Sequence, residues 1–182
     1  GGELPDGTVT HTLKRADLHA CLVAEAQARG VPFHYDKALQ SVTEDGNSVV
    51  ARFRDGTEVR CDLLIGADGI RSRVREQIDP EARAPRYTGL GNVGGFTPAD
   101  AVPLPAGDYQ MVFGKRAFFG YTTAPSGETW WFANPPRKQP LERETLAAMD
   151  SEAWKQHLCA LFEGDVGPML PLIQGTPGTL VG

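Results

Sequence analysis

The stretch Cys61-Asp62-Leu63-Leu64-Ile65-Gly66-Ala67-Asp68-Gly69-Ile70-Arg71-Ser72-Arg73-Val74-Arg75 constrains the fold more than any other part of the chain. Leu63, Leu64 and Ile65 form a short apolar run bounded by Asp62 and Gly66, which predicts a buried strand and not a helix. Gly66 and Ala67 are small enough for a backbone or a ligand to pass close by. Asp68 then stands where a short helix through Arg75 needs an N-cap, its carboxylate able to accept an otherwise unpaired N–H. Strand, small residues, acid and helix start together predict a crossing that faces a ligand. The plainer alternative is that Asp68 only caps a helix and Arg71, Arg73 and Arg75 form a solvated rim.

Composition narrows the class. The 182 residues are 41% hydrophobic, enough for a real core, and carry a net charge of −5 with lysine and arginine scattered along the chain. No basic face is concentrated enough to predict a nucleic-acid partner or an anionic membrane. Cys21, Cys61 and Cys159 are odd in number, far apart and without CxxC spacing, so no disulfide framework or zinc site is expected and a reducing cytoplasm is. His11, His19, His34 and His157 show no metal-ligand spacing. No apolar run approaches the roughly 18 residues that cross a bilayer, and the first residues form no signal peptide. The chain reads as starting in mid-sheet and stopping on a strand approach at Gly178-Thr179-Leu180-Val181-Gly182, as a fragment of something longer would.

In chain order, Thr8–Leu13 alternates in a β-friendly way and turns at Arg15 into an amphipathic helix with Leu18, Leu22, Val23 and Ala26 on one side and Gly30 as its stop. Val31–His34 reads as a short strand. Leu39–Glu44 and Ser48–Phe53 read as a hairpin closed around Asp45-Gly46-Asn47, with a second turn at Asp55-Gly56 leading to Thr57–Arg60. A proline-punctuated connector from Gln77 to Pro85 predicts a boundary near residue 80, dividing 1–79 from 80–182. Beyond it, Arg86–Thr97, Tyr109–Phe113, Ala117–Thr123 and Thr129–Ala133 are strand candidates spaced as an antiparallel meander. Leu141–Met149 reads as a turn or short helix. Ser151 is placed to cap a helix over Glu152–Phe162 with Trp154, Leu158, Leu161 and Phe162 on one face, and Asp165–Ile173 is a shorter helix that Pro171 should break. Gly89-Leu90-Gly91-Asn92-Val93-Gly94 matches GxGxxG by letter. The residues after it include Pro98 and Pro103 and cannot supply the helix whose N-terminus holds a pyrophosphate, so these glycines predict a bulged or closely approached strand.

The run from Asp62 to Arg75 also carries a resemblance. A charged residue, three apolar ones, two small ones, Asp-Gly, any residue, a charged or polar one, Ser, any residue, an apolar one and Arg is similar to the "DG" fingerprint of FAD-dependent aromatic hydroxylases, the p-hydroxybenzoate hydroxylase-like flavin monooxygenases. The resemblance implies that Asp68 faces the flavin with Gly69 as its close-approach neighbour, and that the segment also serves the nicotinamide coenzyme. It implies that Arg15, in Arg15-x-x-Leu18, meets the cofactor, which suits a guanidinium that donates several hydrogen bonds without losing its charge. Gln40, on the first strand of the hairpin, is placed near the adenine on the same ground. The fold implied is α/β to α+β: a partial FAD-binding domain, glutathione reductase-like, at 1–79 and a mainly antiparallel substrate-binding sheet covered by helices at 80–182. The upstream βαβ unit with a true GxGxxG and the later Gly-Asp segment of that family are missing, so the isolated chain is expected to bind FAD weakly or not at all.

Because the hard chemistry of such enzymes resides in the cofactor, no Ser-His-Asp or paired-carboxylate set is needed, and no catalytic residue is named. The strand-rich half offers Phe96, Met111, Phe113, Phe118, Phe119, Tyr121, Trp130 and Phe132 to roof an apolar substrate, and Tyr121 and Trp130, with polar handles, are the expected substrate contacts. The function implied is the middle portion of an FAD- and NAD(P)H-dependent monooxygenase that hydroxylates or epoxidises a small aromatic or alkene substrate. Two alternatives stay open: a non-catalytic ligand-binding module on the same scaffold, and a related flavin-dependent oxidoreductase.

Overall fold

Short glycine turns set the register of the first sheet. In the computed structural model, which describes residues 4–9, 11–107, 109–140 and 150–181, β1 (Leu39–Asp45) and β2 (Ser48–Phe53) pair antiparallel through Asp45↔Ser48. Gly46 takes φ +63 between them, the left-handed entry that lets a two-residue loop match the twist of its strands. Gly56, at φ +84, turns the chain into β3 (Glu58–Cys61), giving a three-stranded sheet ordered β1-β2-β3. The helix before this sheet, α1 (Arg15–Ala28), ends as its glycine predicts. Gly30 at φ +75 donates to Gln27 O and Val31 donates to Ala26 O, a paired C-terminal closure that satisfies two helix carbonyls. The helix α2 (Arg73–Ile78) buries Val74, and the side chain of its Gln77 accepts from Val42 N of β1 at 3.3 Å.

The second sheet is built from β4 (Val93–Thr97), β5 (Tyr109–Phe113), β6 (Phe118–Thr123) and β7 (Thr129–Asn134), all antiparallel. Its order is β4-β7-β6-β5. The expected meander therefore holds for β5-β6-β7 but not for β4, which crosses to the far side of β7. Gly94 and Gly95 explain how β4 fits there. A Cβ on Gly94 would lie 2.5 Å from Trp131 O, and one on Gly95 would lie 2.7 Å from Thr176 Cγ2 and 3.0 Å from Trp131 Cζ2. Gly94 is the last glycine of the GxGxxG look-alike, and it lies as expected in a closely approached strand with no helix after it; Gly95 is a further one that the look-alike did not include.

One face of this sheet packs against α3 (Ser151–Phe162) and α4 (Met169–Gly175). Trp154, Leu158 and Phe162 recur at helical spacing on one side of α3 and are buried with Phe119, Trp131, Met169, Leu172 and Ile173. Phe119 is the hub, stacked on Trp131 at 5.3 Å and edge-on to Phe162 at 5.3 Å. Arg116, in the turn between β5 and β6, donates to Leu161 O at 2.9 Å and Glu163 O at 2.7 Å, closing the carbonyls at the end of α3.

By packing, the chain divides into two units, one of Gly1–Leu18 with Tyr87–Gly182 and one of His19–Arg86. The sequence boundary near residue 80 follows composition, whereas this division follows which segments share a core. Several expectations change. Val31–His34 and Leu63–Ile65 have no ladder partner among the described residues, and Leu63 and Ile65 are 73% and 76% exposed. An apolar run becomes a strand only when a neighbour offers its backbone groups, which no periodicity encodes. Within Thr8–Leu13 only Val9 shows bridge pairing among the described residues. Arg86–Thr97 shortens to β4. Asp150, not Ser151, caps α3, accepting from Glu152 N at 3.1 Å. Pro171 does not break its helix, because it occupies the third position of α4, where a backbone N–H would have no helical acceptor. The expected short helix at Leu141–Met149 lies outside the described residues. All ladders among the described residues are antiparallel, so antiparallel sheets plus helices is the architecture they show. Among the same residues no helix is long and apolar enough to cross a membrane.

Candidate functional site

Strand alternation gives the second sheet two chemically different faces. Phe119, Tyr121 and Thr123 of β6 pair across with Ala133, Trp131 and Thr129 and turn to the helices. The alternate set, Phe118, Gly120 and Thr122, pairs with Asn134, Phe132 and Trp130 on the opposite face. That opposite face floors an apolar cleft of about 680 Å³ within the first unit. Phe96, Trp130 and Phe132 wall it, Tyr109 and Thr122 supply hydroxyls, and the segment His11–Leu13 with Arg15 and Leu18 lines it too. Phe96 meets Trp130 edge-on at 6.1 Å.

Gly120 lets Phe132 and Tyr109 lie close over the sheet, since a Cβ there would sit 2.6 Å from Phe132 Cε1 and 3.0 Å from Tyr109 Oη. Partial burial pushes the Tyr109 phenol up, so at neutral pH it stays protonated and can donate. Among the described residues Arg15 has no ion-pair or hydrogen-bond partner, and its guanidinium is free for an anionic or carbonyl acceptor. Of the two expected substrate contacts, Trp130 lines the cleft. Tyr121 does not: it packs against the core beside Phe119, with ring centroids 6.2 Å apart. Tyr109 and Thr122, which sequence reasoning missed, take the cleft positions. The signal was the register Tyr109↔Thr122, which alternation alone cannot assign to a face.

In the second unit, Gln40 sits where the register of β1 shifts between Leu39 and Ser41. Such an irregularity re-aims a side chain out of the ladder. Gln40 lines a cleft of about 390 Å³ with Leu39, Arg54 and Arg73, an amide and two guanidiniums facing one space. In the DG segment the capping expected of Asp68 is shared with Ser72. Ser72 is the N-cap of α2, accepting from Arg75 N at 3.0 Å. Asp68 reaches over it, Oδ1 accepting from the Ser72 hydroxyl at 2.5 Å and Oδ2 from Arg73 N at 2.6 Å and Val74 N at 3.3 Å. These bonds, the Ser72 hydroxyl foremost, hold its carboxyl below the ordinary carboxylate range. Gly66 is small because Val74 packs on it, a Cβ there falling 2.5 Å from Val74 Cβ. Gly69 differs: it holds φ +81 with nothing within 4 Å of the Cβ position, so its free side opens outward.

Beyond Asp68, a cleft of about 290 Å³ is lined by Arg71, Arg73, Arg75 and Arg83 with a single acid, Glu76. Glu76 pairs with Arg73 at 3.3 Å, while Arg71 and Arg83 have no partner among the described residues. Arg75 Nη2 donates to Ile70 O at 2.7 Å, and its Nε is buried with no acceptor among those residues.

Residues 4–162 match the family model described as FAD binding domain. The chain belongs to the FAD-dependent aromatic hydroxylase family. Within this family it is 35% identical over 129 residues to 3-amino-4-hydroxybenzoate 2-monooxygenase of Streptomyces cremeus, covering 70% of this chain and 32% of that protein. It is 34% identical over 147 residues to 6-hydroxynicotinate 3-monooxygenase of Bordetella bronchiseptica, covering 70% of this chain and 38% of that one. Among solved structures, HpxO of Klebsiella pneumoniae, complexed with FAD and uric acid, superposes with a TM-score of 0.76 at 25% identity, over 93% of this chain and 42% of that one. The chain therefore spans only about a third of the length of these two relatives.

The donors present suit a flavin nucleotide. A carboxylate offers about four lone-pair sites, and Asp68 uses three, so one remains for a further donor such as a hydroxyl. Gln40, Arg54 and Arg73 carry N–H donors that line one cleft, and a Cβ on Gly69 would meet nothing within 4 Å.

Proposed function

We propose that the longer protein carrying this chain is an FAD- and NAD(P)H-dependent monooxygenase that hydroxylates or epoxidises a small aromatic or alkene substrate. The observation that carries this reading is the apolar cleft on the sheet face, walled by Phe96, Trp130 and Phe132 and served by one unpartnered guanidinium, Arg15, in a chain of this family. Its dimensions and lining suit a flat ring better than a sugar or a peptide. Residues 1–79 form part of a glutathione reductase-like FAD-binding domain, the cofactor half, and 80–182 form the substrate half.

Bound FAD supplies oxygen activation and the transfer of one oxygen atom to the substrate. The chain's residues bind, orient and exclude water. Arg15 donates to the cofactor's anionic or carbonyl edge, Gln40 to its nucleotide end, and Asp68 accepts from it beside Gly69. Trp130 stacks on the substrate ring, and the protonated Tyr109 donates to a substrate oxygen. Arg71 and Arg83, cations without counter-charge, receive the phosphates of the nicotinamide coenzyme. The three free cysteines are consistent with a reducing, cytoplasmic setting.

The test is the purified longer protein. It should be yellow, absorbing near roughly 450 nm as bound flavins do, and should oxidise NAD(P)H faster when a small aromatic is added. Asp68→Ala should lower flavin occupancy more than Ser72→Ala, which weakens the helix cap and keeps the acid. A colourless protein that cannot be reconstituted, or equal losses in the two variants, would contradict the assignment.

A further inference from the structure

We propose that Glu128 and Lys14 are positioning residues that hold the aromatic wall of the cleft in place, an inference that rests on the cleft being the substrate site. One oxygen of Glu128, Oε2, accepts from Trp130 Nε1 at 2.6 Å and from Lys14 Nζ at 2.9 Å. The same ammonium lies 4.9 Å from the centroid of the Phe96 ring and 5.6 Å from that of Trp130. Phe96 and Trp130 face each other across the β4–β7 ladder, and both wall the cleft. Four groups from three segments therefore meet at one point.

The chemistry of the arrangement comes from its parts. An indole on a sheet face has several orientations open to it, and a carboxylate accepting from its N–H selects one. A cation over two ring faces is attracted by both quadrupoles, so Lys14 draws the rings together while its carboxylate partner fixes where it stands. Lys14 directly precedes Arg15, so the contact also anchors the backbone that presents the free guanidinium of the cleft. With the Lys14 charge matched by Glu128, Arg15 is the unmatched cation at this end of the cleft among the described residues. Neither Glu128 nor Lys14 lines the cleft, so they act through Trp130, Phe96 and Arg15.

The experiment uses the longer protein with Glu128→Gln, Lys14→Met, the pair together, and Lys14→Arg as the conservative rescue. Glu128→Gln keeps an acceptor for the indole but drops the charge that holds Lys14. Substrate KM should rise about threefold to fivefold in each single variant, the size of an exposed cation–π and ion-pair contact, with kcat and the thermal midpoint nearly unchanged. The double variant should be no worse than either single one, and Lys14→Arg should restore KM. Acrylamide quenching of tryptophan fluorescence without substrate should rise in Glu128→Gln, and that rise should vanish in a Trp130→Phe background. Unchanged KM and quenching, or a fall in kcat together with the thermal midpoint, would overturn the proposal. Should the protein lack hydroxylase turnover, the functional reading fails, and the quenching measurement alone then decides for or against the contact.

Discussion

Two glycines on opposite faces of one sheet should respond to the same substitution in opposite ways. In Gly95→Ala the new methyl enters the buried face, 2.7 Å from Thr176 Cγ2 and 3.0 Å from Trp131 Cζ2. Neither neighbour can yield. Thr176 is 2% exposed and bonded to Trp131 Nε1 and Leu172 O, and Trp131 is stacked on Phe119. Overpacking of this kind costs roughly 1–3 kcal/mol, and relief of glycine's strand penalty returns only about 0.5–1. A net loss of about 1–2 kcal/mol, several degrees in thermal midpoint, is expected. In Gly120→Ala the methyl meets Phe132 Cε1 at 2.6 Å and Tyr109 Oη at 3.0 Å, the tips of side chains that border an open cleft and can swing into it. The strand gain and the displacement then nearly cancel, leaving stability within about 1 kcal/mol of the parent. The cleft suffers instead, because Phe132 and Tyr109 are pushed into it and an aromatic ligand should bind at least several-fold more weakly. Thermal unfolding followed by circular dichroism, with titration of an aromatic carboxylate, reads both effects. Equal destabilisation by the two substitutions, or a stable Gly95→Ala that loses ligand, would show that the faces have been assigned the wrong way round.

Thr176→Val keeps the volume but leaves the buried Trp131 N–H without its acceptor at 2.8 Å, and should cost about 1–3 kcal/mol in urea unfolding; a loss under about 0.5 would refute the role of that bond. The Asp68 carboxyl is depressed in the folded state by Ser72, Arg73 and Val74, so its contribution is present above the unfolded carboxyl's range and is lost as pH falls through the folded one. Protection of the Arg73 and Val74 amides from hydrogen exchange should therefore fall on acidification below about pH 4, and Asp68→Asn should lose that protection at neutral pH. Pro171→Ala should leave the α4 helix intact with little change in stability, since the proline already occupies a position whose N–H would be unpaired; a large gain in helicity would show that the proline strains it.

The chain's local chemistry determined much of this protein by itself. Gly30, Gly46 and Gly56 hold positive φ where the sequence predicted a helix stop and two turns. The helix face of Trp154, Leu158 and Phe162 followed from 3.6-residue spacing, and the DG pattern carried the family. Tertiary structure decided what periodicity leaves degenerate. A strand's alternation says that Tyr121 and Thr122 face opposite ways but not which of them meets the helices, so the cleft's hydroxyls went to Thr122 and Tyr109. Pairing decided that β4 lies beside β7 and that Leu63–Ile65 has no ladder among the described residues, because backbone hydrogen bonds between strands join residues far apart in the chain. The meeting of Lys14 with Glu128, 114 positions along by their numbering (128 minus 14), belongs to the same class: a local pattern can nominate a charge, but only the folded sheet can bring its partner to it.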